Sequence, residues 1–388
     1  VLVTAGNFRC IRQHFEIAGD VLSTDAEADF ATALFQTTGE RLVAGNQWRL
    51  DSNGEVFEVI EEDIGAAQVS LNFSLYIWEP GDVSDRLIAA LSKRSPKVRC
   101  RILVDSFGSP SFEAKVAPRL REIGCEARVF RPFSTTRNLF ERNHRKIVVI
   151  DGRSAYLGGF GVRDEWRSIR RRLYRRTRMR FTNEWREDNI RVEGPVVADV
   201  QRAFAQNWQE AGGALLPTAD FPAISADGEA RALFCSSTAG YVTDSERLVH
   251  LLVKSARRRL YITNAYFVPD PNLMRTLVAK AEAGVDVRVL VPGRKNDIPI
   301  ADFSQRTQYR ELLDAGIRIF EYQSAMMHAK TMIVDDRISM IGSLNLNLLS
   351  LSRLEEAVLL IDDRNLVKEL DASWLQDIRE SREVRRKP

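Results

Sequence analysis

Two copies of one pattern of chemically active side chains occur in the sequence. Each copy reads His-x-Lys-x-x-x-x-Asp. The members are His144, Lys146 and Asp151 in the first copy and His328, Lys330 and Asp335 in the second. An imidazole can attack phosphorus or move a proton, and a neighbouring ammonium can hold phosphoryl oxygens. The pattern therefore predicts chemistry on an anionic phosphoryl group, with these six residues as candidate catalytic residues.

The spacing predicts that each motif lies on a β-strand. The residues after each lysine, 147–150 and 332–334, are apolar and partly β-branched, which is typical of a strand. Residues i and i+2 share one face of a strand, so the histidine and the lysine should project together. The aspartate lies an odd number of residues after the histidine, so its side chain should point to the other face of the strand, and it falls where the strand turns. We expect it to anchor the backbone of that turn rather than to contact substrate.

Two simpler interpretations compete with this one. A single histidine at a strand end is usually a surface or satisfied polar residue, and we interpret His14 and His250 in that way. Zinc sites need three or four close ligands, whereas each motif supplies one histidine beside an ammonium that repels a cation. Because the chain has only four histidines and two of them open the same pattern, we expect a catalytic pair and neither a metal nor another cofactor.

The segments around the motifs are predicted to form a duplicated α/β unit. Strand-like and helical segments alternate from residue 69 and return in the same order after residue 240. This alternation is typical of a mixed or parallel sheet covered by helices. The predicted divisions are an N-terminal extension at 1–68, a first half at 69–215, a linker at 216–239 and a second half at 240–388.

With the two motifs in place, the chain resembles the phospholipase D superfamily, and most closely its bacterial cardiolipin synthase-type branch. The resemblance covers residues 40–378 and extends to the segments 264–269, 284–294, 327–335 and 342–345. It implies an α/β fold of two similar halves, each a mixed sheet flanked by helices. The halves would be related by a pseudo-twofold axis, with one active site at their junction.

The resemblance also implies roles for individual residues. One motif histidine would form a phosphohistidine, and the other would protonate the leaving alcohol and then activate the acceptor; we assign His144 as the nucleophile. Lys146 and Lys330 would hold phosphoryl oxygens. Further implied residues are Ser343 and Asn345 as phosphate contacts, Glu356 as the acid that orients His328, and Glu187 (with Asp188 as the alternative) as its counterpart for His144.

Three positions depart from the pattern of the family. Gly161 stands where an asparagine often follows the first motif, Leu349 replaces a frequent arginine, and Leu354 replaces a frequent asparagine. The second half is therefore expected to hold the more complete set of phosphate contacts.

The charge of the chain is concentrated in one segment. The 388 residues include 56 Lys+Arg and 53 Asp+Glu, a net charge of +3. Residues 163–180 hold nine arginines and two acids, or +7, which leaves −4 for the rest. Flanked by Trp166 and Trp185, this segment is predicted to bind an anionic membrane surface; nucleic acid or a solvated helix face are the alternatives. The candidate anion-binding residues are Arg167, Arg170, Arg171, Arg172, Arg175 and Arg176.

The remaining features bear on the location and state of the protein. No run of about 18 apolar residues occurs, so no transmembrane helix is predicted. We expect a cytoplasmic protein that is peripheral on the membrane, or a periplasmic or secreted one if a signal segment preceded Val1. The four cysteines form no CxxC pair, and we expect reduced core thiols rather than disulfides.

These observations predict an enzyme that cleaves a phosphodiester in a glycerophospholipid and transfers the phosphatidyl group to an alcohol or to water. The first alternative is a nuclease or nucleic-acid phosphodiesterase with the same chemistry. Family nucleases usually carry one motif and dimerise, whereas this chain carries both, so we expect a monomer and favour the lipid. The second alternative is a non-catalytic lipid-binding scaffold, against which the two intact motifs argue.

Overall fold

The computed structural model of the protein describes residues 15–19, 23–133, 140–167 and 184–386. Fifteen strands occur in the described residues. They are β1 (Val43–Ser52), β2 (Ser70–Leu75), β3 (Arg99–Asp105), β4 (Glu126–Phe130), β5 (Ile147–Ile150), β6 (Ser154–Gly158), β7 (Asp188–Glu193), β8 (Ala230–Ser237), β9 (Arg259–Thr263), β10 (Asp286–Pro292), β11 (Arg318–Tyr322), β12 (Thr331–Val334), β13 (Ile338–Gly342), β14 (Glu356–Asp362) and β15 (Ser381–Glu383).

Helices connect and cover these strands. In the described residues they are α1 (Glu27–Thr38), α2 (Glu55–Ala66), α3 (Asp82–Ser92), α4 (Ala117–Glu122), α5 (Val197–Glu210), α6 (Asp244–Ser255), α7 (Pro271–Glu282), α8 (Pro299–Thr307), α9 (Tyr309–Asp314), α10 (Leu348–Ser352) and α11 (Arg364–Arg379). One π-helical turn, Phe112–Val116, precedes α4, and short 3₁₀ turns span Asp164–Trp166 and Thr218–Asp220.

The two halves repeat one sheet pattern. In the first half β2, β3 and β4 are parallel, and β5 and β6 continue antiparallel from β2. In the second half β9, β10 and β11 are parallel, and β12 and β13 continue antiparallel from β9. This arrangement confirms the predicted mixed α/β fold of two similar halves. The parallel strands need both faces covered, which the helices between them provide.

The halves are joined through strands and through a shared core. Strand β1 pairs with β7 on one side and with β8 on the other, so that all fifteen strands form one continuous hydrogen-bonded order. Apolar residues of β5, β6 and β7 share a buried cluster with those of β12, β13 and β14. The motif strands of both halves therefore pack against one shared core, which fixes the positions of their ends relative to each other.

The predicted alternation of strands and helices is present in both halves. Strand β9 ends at Thr263, and the helical stretch before β11 is divided into α8 and α9. Residues 230–237, which fall within the predicted linker, form strand β8 of the sheet. The division of the chain into domains at residues 68, 215 and 239 stays a prediction.

The expectation of four reduced cysteines was wrong for one pair. Cys100 on β3 and Cys125 just before β4 form a disulfide with a Cα–Cα distance of 4.6 Å. The parallel register pairs Arg101 with Glu126, so the two preceding residues lie side by side at the start of the strands. Cys235 is a buried free thiol, as expected, and Cys10 lies outside the described residues. No helix among the described residues is long and apolar enough to cross a bilayer.

Candidate active site

Both motif histidines lie at the same edge of their sheets. Strand β5 begins opposite the end of β2, where Ile147 pairs with Ser74. Strand β12 begins opposite the end of β9, where Thr331 pairs with Thr263. Each histidine lies three residues before its strand, and His144 and His328 thus emerge at the carboxyl ends of the parallel strands. In α/β sheets this edge is the usual place for a ligand site.

Backbone hydrogen bonds across the junction bring these two edges together. His144 N donates to Glu355 O at 2.9 Å, and His328 N donates to Arg186 O at 2.8 Å. Each motif histidine is therefore tied by its own main chain to the opposite half. Next to each of these acceptors in sequence stands a glutamate, Glu356 or Glu187, whose side chain completes the site.

The two glutamates are crossed between the halves. Both Oε atoms of Glu356 lie 3.0 Å from His144 Nδ1, and Glu187 Oε2 lies 2.6 Å from His328 Nδ1. The predicted assignment of Glu356 to His328 and of Glu187 to His144 was therefore wrong. The physical reason is the junction itself, because the residue before each glutamate pairs with the residue before the opposite histidine, Glu355 with Asn143 and Arg186 with Met327. Asp188 does not serve as the alternative, since it forms an ion pair with Arg186 at 2.8 Å.

The two lysines lie beside their histidines, as predicted, but both residues lie just before strands β5 and β12 and not on them. Lys146 Nζ donates to His144 O at 2.9 Å, and Lys330 Nζ donates to His328 O. Both side chains are buried. Burial lowers the pKa of Lys146 to about 7 and the pKa of Lys330 to about 8. Two ammonium groups held in a dry site with little solvation are prepared to bind an anion, which would restore their charge.

Burial keeps both imidazoles uncharged at neutral pH. Burial lowers the pKa of His144 to about 4, although Glu356 opposes the shift. A neutral His144 that donates its Nδ1–H to Glu356 presents the lone pair of Nε2, which is the form of a nucleophile. Because His328 Nδ1 and Glu187 Oε2 are only 2.6 Å apart, the two groups titrate as one dyad.

The dyad of His328 and Glu187 retains a proton at neutral pH. Burial raises the pKa of Glu187 to about 8. Burial, and then the charges of Lys330 and Lys146, lower the pKa of His328 well below its usual value. The pair therefore carries one proton more than a glutamate ion with a neutral imidazole. Moved onto the imidazole, that proton makes His328 an acid, so the two halves supply one nucleophilic and one acidic imidazole.

The motif aspartates hold turns at the far ends of their strands. Asp151 accepts hydrogen bonds from the backbone N–H groups of residues 68–70, at 2.7–2.9 Å. Asp335 accepts from the backbone N–H groups of residues 257–259, at 2.7–3.2 Å. Both have φ near +55°, at 55° and 53°. This placement agrees with the expectation from parity, so the two aspartates anchor the motif strands and do not face the histidines.

The predicted phosphate contacts of the second half surround Glu356. Ser343 Oγ and Ser350 Oγ both donate to the Glu356 carboxylate. Ser343 thus fixes the orienting acid, which is a different contact from the predicted one to phosphate. Asn345 Oδ1 is buried and has no hydrogen-bond partner among the described residues. Asn345 therefore keeps polar capacity for a ligand, while Ser343 and Ser350 keep Glu356 in position.

Trp166 replaces these serines in the first half, and the sequence reasoning missed this role. The two motifs and the residues after them align with a constant offset of 184 from His144 onward, which pairs Trp166 with Ser350. Trp166 Nε1 donates to Glu187 Oε2 at 3.4 Å. A β-carbon at Gly159, the counterpart of Ser343, would collide with that carboxylate. A β-carbon at Gly161 would lie 3.2 Å from the Trp166 ring, so the missing asparagine is explained by the indole.

Aromatic rings enclose both imidazoles. Trp166 and Trp185 contact the His328 ring, with centroid distances of 5.4 and 4.9 Å. Tyr76 lies 4.8 Å from the His144 ring and Tyr266 lies 6.2 Å from the His328 ring. The tyrosines follow the corresponding strands β2 and β9, and this repeated position was the signal that could have identified them. Both tryptophans are buried and line the site.

The arginine-rich segment falls almost wholly outside the described residues. Arg170, Arg171, Arg172, Arg175 and Arg176 all lie outside them. Arg167 is described, and its guanidinium pairs with Glu58 at 2.9 Å and Glu61 at 3.3 Å, with 14% of the side chain exposed. The prediction that Arg167 binds an external anion is therefore not supported by its placement, because α2 already supplies its counter-charges.

One group of potential metal ligands occurs in the described residues. Ligand atoms of Glu246, His250 and Asp270 lie within 4.8 Å of one another. The group lies on α6 and at the start of α7, not on the motif strands, and Asp270 already caps α7 through the N–H groups of Asn272 and Leu273. Nothing in its placement connects it to the two imidazoles.

The fold and the site together define a class of protein. Two buried imidazoles, two lysines and two crossed carboxylates at the junction of duplicated α/β halves are suited to cleavage of a phosphodiester. A family model described as "Cardiolipin synthase, PLD-like domain" matches residues 60–168 and 249–378. The chain belongs to this family, and it is a phospholipase D-type phosphatidyltransferase or phosphodiesterase.

Individual relatives agree with this assignment. The chain is 32% identical to cardiolipin synthase A of Pectobacterium atrosepticum, over 88% of this chain and 72% of that protein. It is 33% identical to cardiolipin synthase A of Pectobacterium carotovorum subsp. carotovorum, with the same coverage. The crystal structure of phosphatidylserine synthase from Haemophilus influenzae Rd KW20 superposes with a TM-score of 0.66 at 15% identity, covering 92% of each chain. That structure supports the fold.

Proposed function

We propose that the protein transfers a phosphatidyl group from one glycerophospholipid to an alcohol through a phosphohistidine on His144. The observation that carries this proposal is the crossed arrangement in which His144 Nδ1 lies 3.0 Å from Glu356 and His328 Nδ1 lies 2.6 Å from Glu187. It supplies a neutral imidazole on one side of the junction and, on the other, an imidazole that contacts a proton-bearing carboxyl group. A two-step displacement at phosphorus needs both.

In the first step Nε2 of His144 attacks phosphorus, and the bond between phosphorus and the leaving alcohol oxygen breaks. His328 gives its proton to that oxygen, so the alcohol leaves neutral and the phosphatidyl group stays on His144. In the second step His328 takes the proton from the hydroxyl of the acceptor, whose oxygen attacks phosphorus and breaks the phosphorus–nitrogen bond. Protons and bonds balance over the two steps, and both imidazoles return to their starting states.

The lysines hold the charge that the phosphoryl group carries throughout. Lys146 and Lys330 lie beside the two histidines, and both lysine side chains are buried. An ammonium in a poorly solvated site stabilises the extra negative charge of the transition state more strongly than in water. No step of this mechanism requires a metal.

The substrate we propose is phosphatidylglycerol in both roles, so that the products are cardiolipin and glycerol. The support is the identity of 31–33% to proteins named cardiolipin synthase A over most of both chains. The test is to incubate the protein with phosphatidylglycerol vesicles and, in parallel, with single-stranded DNA. Cardiolipin with little phosphatidic acid supports transfer. Dominant phosphatidic acid at every lipid density would indicate hydrolysis, and DNA cleavage without lipid products would indicate a nuclease.

The arginine-rich segment is proposed to dock the protein on an anionic membrane surface. Residues 168–180 hold seven arginines, and exposed basic residues near an anionic surface contribute about 1 kcal/mol each. The test is the triple change of Arg170, Arg171 and Arg172 to Ser. It should weaken vesicle binding and flatten its salt dependence, because such attraction is screened by salt, while turnover of a soluble diester stays unchanged. Unchanged vesicle binding would exclude this role.

The protein is proposed to work as a peripheral protein at a membrane.

The disulfide between Cys100 and Cys125 supports an oxidising compartment, since disulfides rarely persist in the cytoplasm. It therefore favours the periplasmic or secreted alternative over the cytoplasmic expectation. Alkylation of free thiols in rapidly quenched cells would test this. If Cys100 and Cys125 are both alkylated without prior reduction, the pair is reduced in the cell and the cytoplasmic location is supported.

A further inference from the structure

Helix α8 (Pro299–Thr307) has its polar and apolar residues in the reverse of the usual places. A surface helix normally turns its apolar side chains to the core and its polar ones to water. Of the nine residues of α8 only Gln305 is buried, and its Nε2 donates to Tyr309 Oη at 2.8 Å. Ile300 and Phe303 are 74% and 70% exposed. The apolar side of the helix therefore faces outward, and Ile300 and Phe303 belong to none of the buried apolar clusters of the described residues.

This helix lies close to the active site. It follows the carboxyl end of β10, at the edge where the histidines emerge. Asp297, two residues before the helix, accepts a hydrogen bond from Tyr266 Oη at 2.8 Å. The Tyr266 ring in turn lies 6.2 Å from the His328 ring. The helix is thus held beside the opening of the second half by a fixed contact.

The first half carries exposed apolar rings at the corresponding edge. Phe107 and Phe133 are 56% and 50% exposed, with their ring centroids 6.1 Å apart. Asp105 holds this edge in place, because its carboxylate accepts from Phe107 N at 2.7 Å and from Asn143 N at 3.0 Å. Asn143 immediately precedes His144. Exposed apolar residues therefore border the site on both halves.

We propose that α8 inserts its apolar side into the surface of an anionic lipid bilayer and that the rings of the first half reach the same surface. The proposal rests on the proposed function, and it names the lipid surface as the partner of this face. Arg294 and Lys295 are exposed just before the helix. Apolar side chains on one face with basic residues beside them are typical of helices that lie in a membrane interface.

The position of the face favours a bilayer over a second copy of the chain. A two-chain lipid must leave the bilayer at the point where its phosphate reaches His144 and His328. Apolar residues on both sides of that opening would let the acyl chains remain in an apolar environment while the phosphate enters. A protein bound over the same residues would instead cover the opening.

The experiment compares a double variant, which carries both Ile300→Ser and Phe303→Ser, with the single variant Phe221→Ser as the control. Phe221 is also exposed, at 38%. It lies at the other edge of the sheet, because the preceding Asp220 pairs with Arg99 at the start of β3. Binding to phosphatidylglycerol vesicles is measured by sedimentation. The double variant should bind at least about tenfold more weakly, since two apolar side chains no longer leave water, and Phe221→Ser should bind like the wild type.

Two further readouts separate the possible causes. Turnover of a soluble short-chain diester should be the same in the wild type and in both variants. If the wild type itself shows no such turnover, that result counts against the proposed function and not against the docking. Phe303→Trp should show stronger fluorescence quenching by brominated lipids than the wild type. Equal vesicle binding by the double variant, or quenching no greater than in the wild type, would overturn the proposal. The proposal would also be overturned if the double variant differed from the wild type in mass by sedimentation equilibrium but bound vesicles equally well. That result would identify the face as a protein interface.

Discussion

The Nδ1 atom of His144 and the carboxylate of Glu356 lie 3.0 Å apart although 212 residues separate them in the chain. His328 and Glu187 form the reciprocal contact across the same junction. Neither half therefore contains a complete pair of imidazole and carboxylate. Each half supplies the histidine of one pair and the acid of the other, so any change that loosens the junction should disturb both chemical steps together.

The assignment of roles predicts a dependence on the leaving group. With a natural lipid, His328→Ala should lower turnover by about 10²–10⁴-fold, the usual contribution of a positioned acid or base. With a p-nitrophenyl ester of a phosphatidyl group the leaving oxygen needs no proton. His328→Ala should then still release one equivalent of p-nitrophenol and keep the phosphatidyl group bound to His144, whereas His144→Ala should release none. A burst in His144→Ala that is absent in His328→Ala would reverse the two roles.

The dyad of Glu187 and His328 predicts the pH dependence. Burial raises the pKa of Glu187 to about 8, so the acid form of the dyad is present below that pH and is lost as the pH rises through it. Burial also lowers the pKa of Lys146 to about 7 and that of Lys330 to about 8, so both lysines lose their charge as the pH rises. All three losses act in the same direction, and kcat/KM on a soluble diester should fall from about pH 7 and most steeply above pH 8. A rate that continues to rise to pH 10 would contradict this protonation state.

The hydrogen bond from Trp166 to Glu187 predicts a shift of that profile. The Trp166 N–H favours the carboxylate form and lowers the pKa of Glu187, although burial dominates. Trp166→Phe removes the donor, so the alkaline limb should move to higher pH, by less than about one unit for a single hydrogen bond. Trp185→Phe is the matched control, because Trp185 also packs on His328. The same shift in both variants would assign the effect to packing.

Local spacing in the sequence predicted the contents of the site. The alternation around Lys146 and Lys330 placed each lysine beside its histidine, and the parity of Asp151 placed it at a turn. These relationships are local, because each histidine and lysine immediately precede the short strand that ends at the turn of the aspartate. The resemblance to a family placed the glutamates in the site as well.

Relationships between distant segments could not be read in the same way. The exchange of Glu187 and Glu356 depends on how two edges pack, and no spacing within either half encodes it. The disulfide of Cys100 and Cys125 depends on the parallel register of β3 and β4, which the sequence of neither strand fixes. Trp166 was interpreted as a membrane flank because its alignment with Ser350 becomes meaningful only when both side chains are seen to donate to a glutamate.

The way the site holds phosphate predicts resistance to chelation. The charge of the phosphoryl group is met by Lys146 and Lys330, which lie beside the two imidazoles. Excess EDTA should therefore leave turnover of a soluble short-chain diester unchanged. A soluble substrate is needed because divalent ions also alter the packing of anionic membranes. Loss of activity in EDTA that a divalent ion restores would contradict the metal-free mechanism.

The turn contacts of the motif aspartates predict a loss of stability without a loss of chemistry. Asp151 accepts three backbone N–H groups, and hydrogen bonds to a charged acceptor contribute about 1.5–3 kcal/mol each, with less than full additivity. Asp151→Ala should thus lower the free energy of unfolding by about 2–4 kcal/mol, as measured by urea denaturation. Asp85→Ala is the control, because Asp85 forms an exposed ion pair with Arg119 and such pairs contribute about 0–1 kcal/mol. Turnover per folded molecule should stay near that of the wild type in both variants, because Asp151 follows the end of β5 that lies away from His144. A stable Asp151→Ala protein with no turnover would instead place this carboxylate in the chemistry.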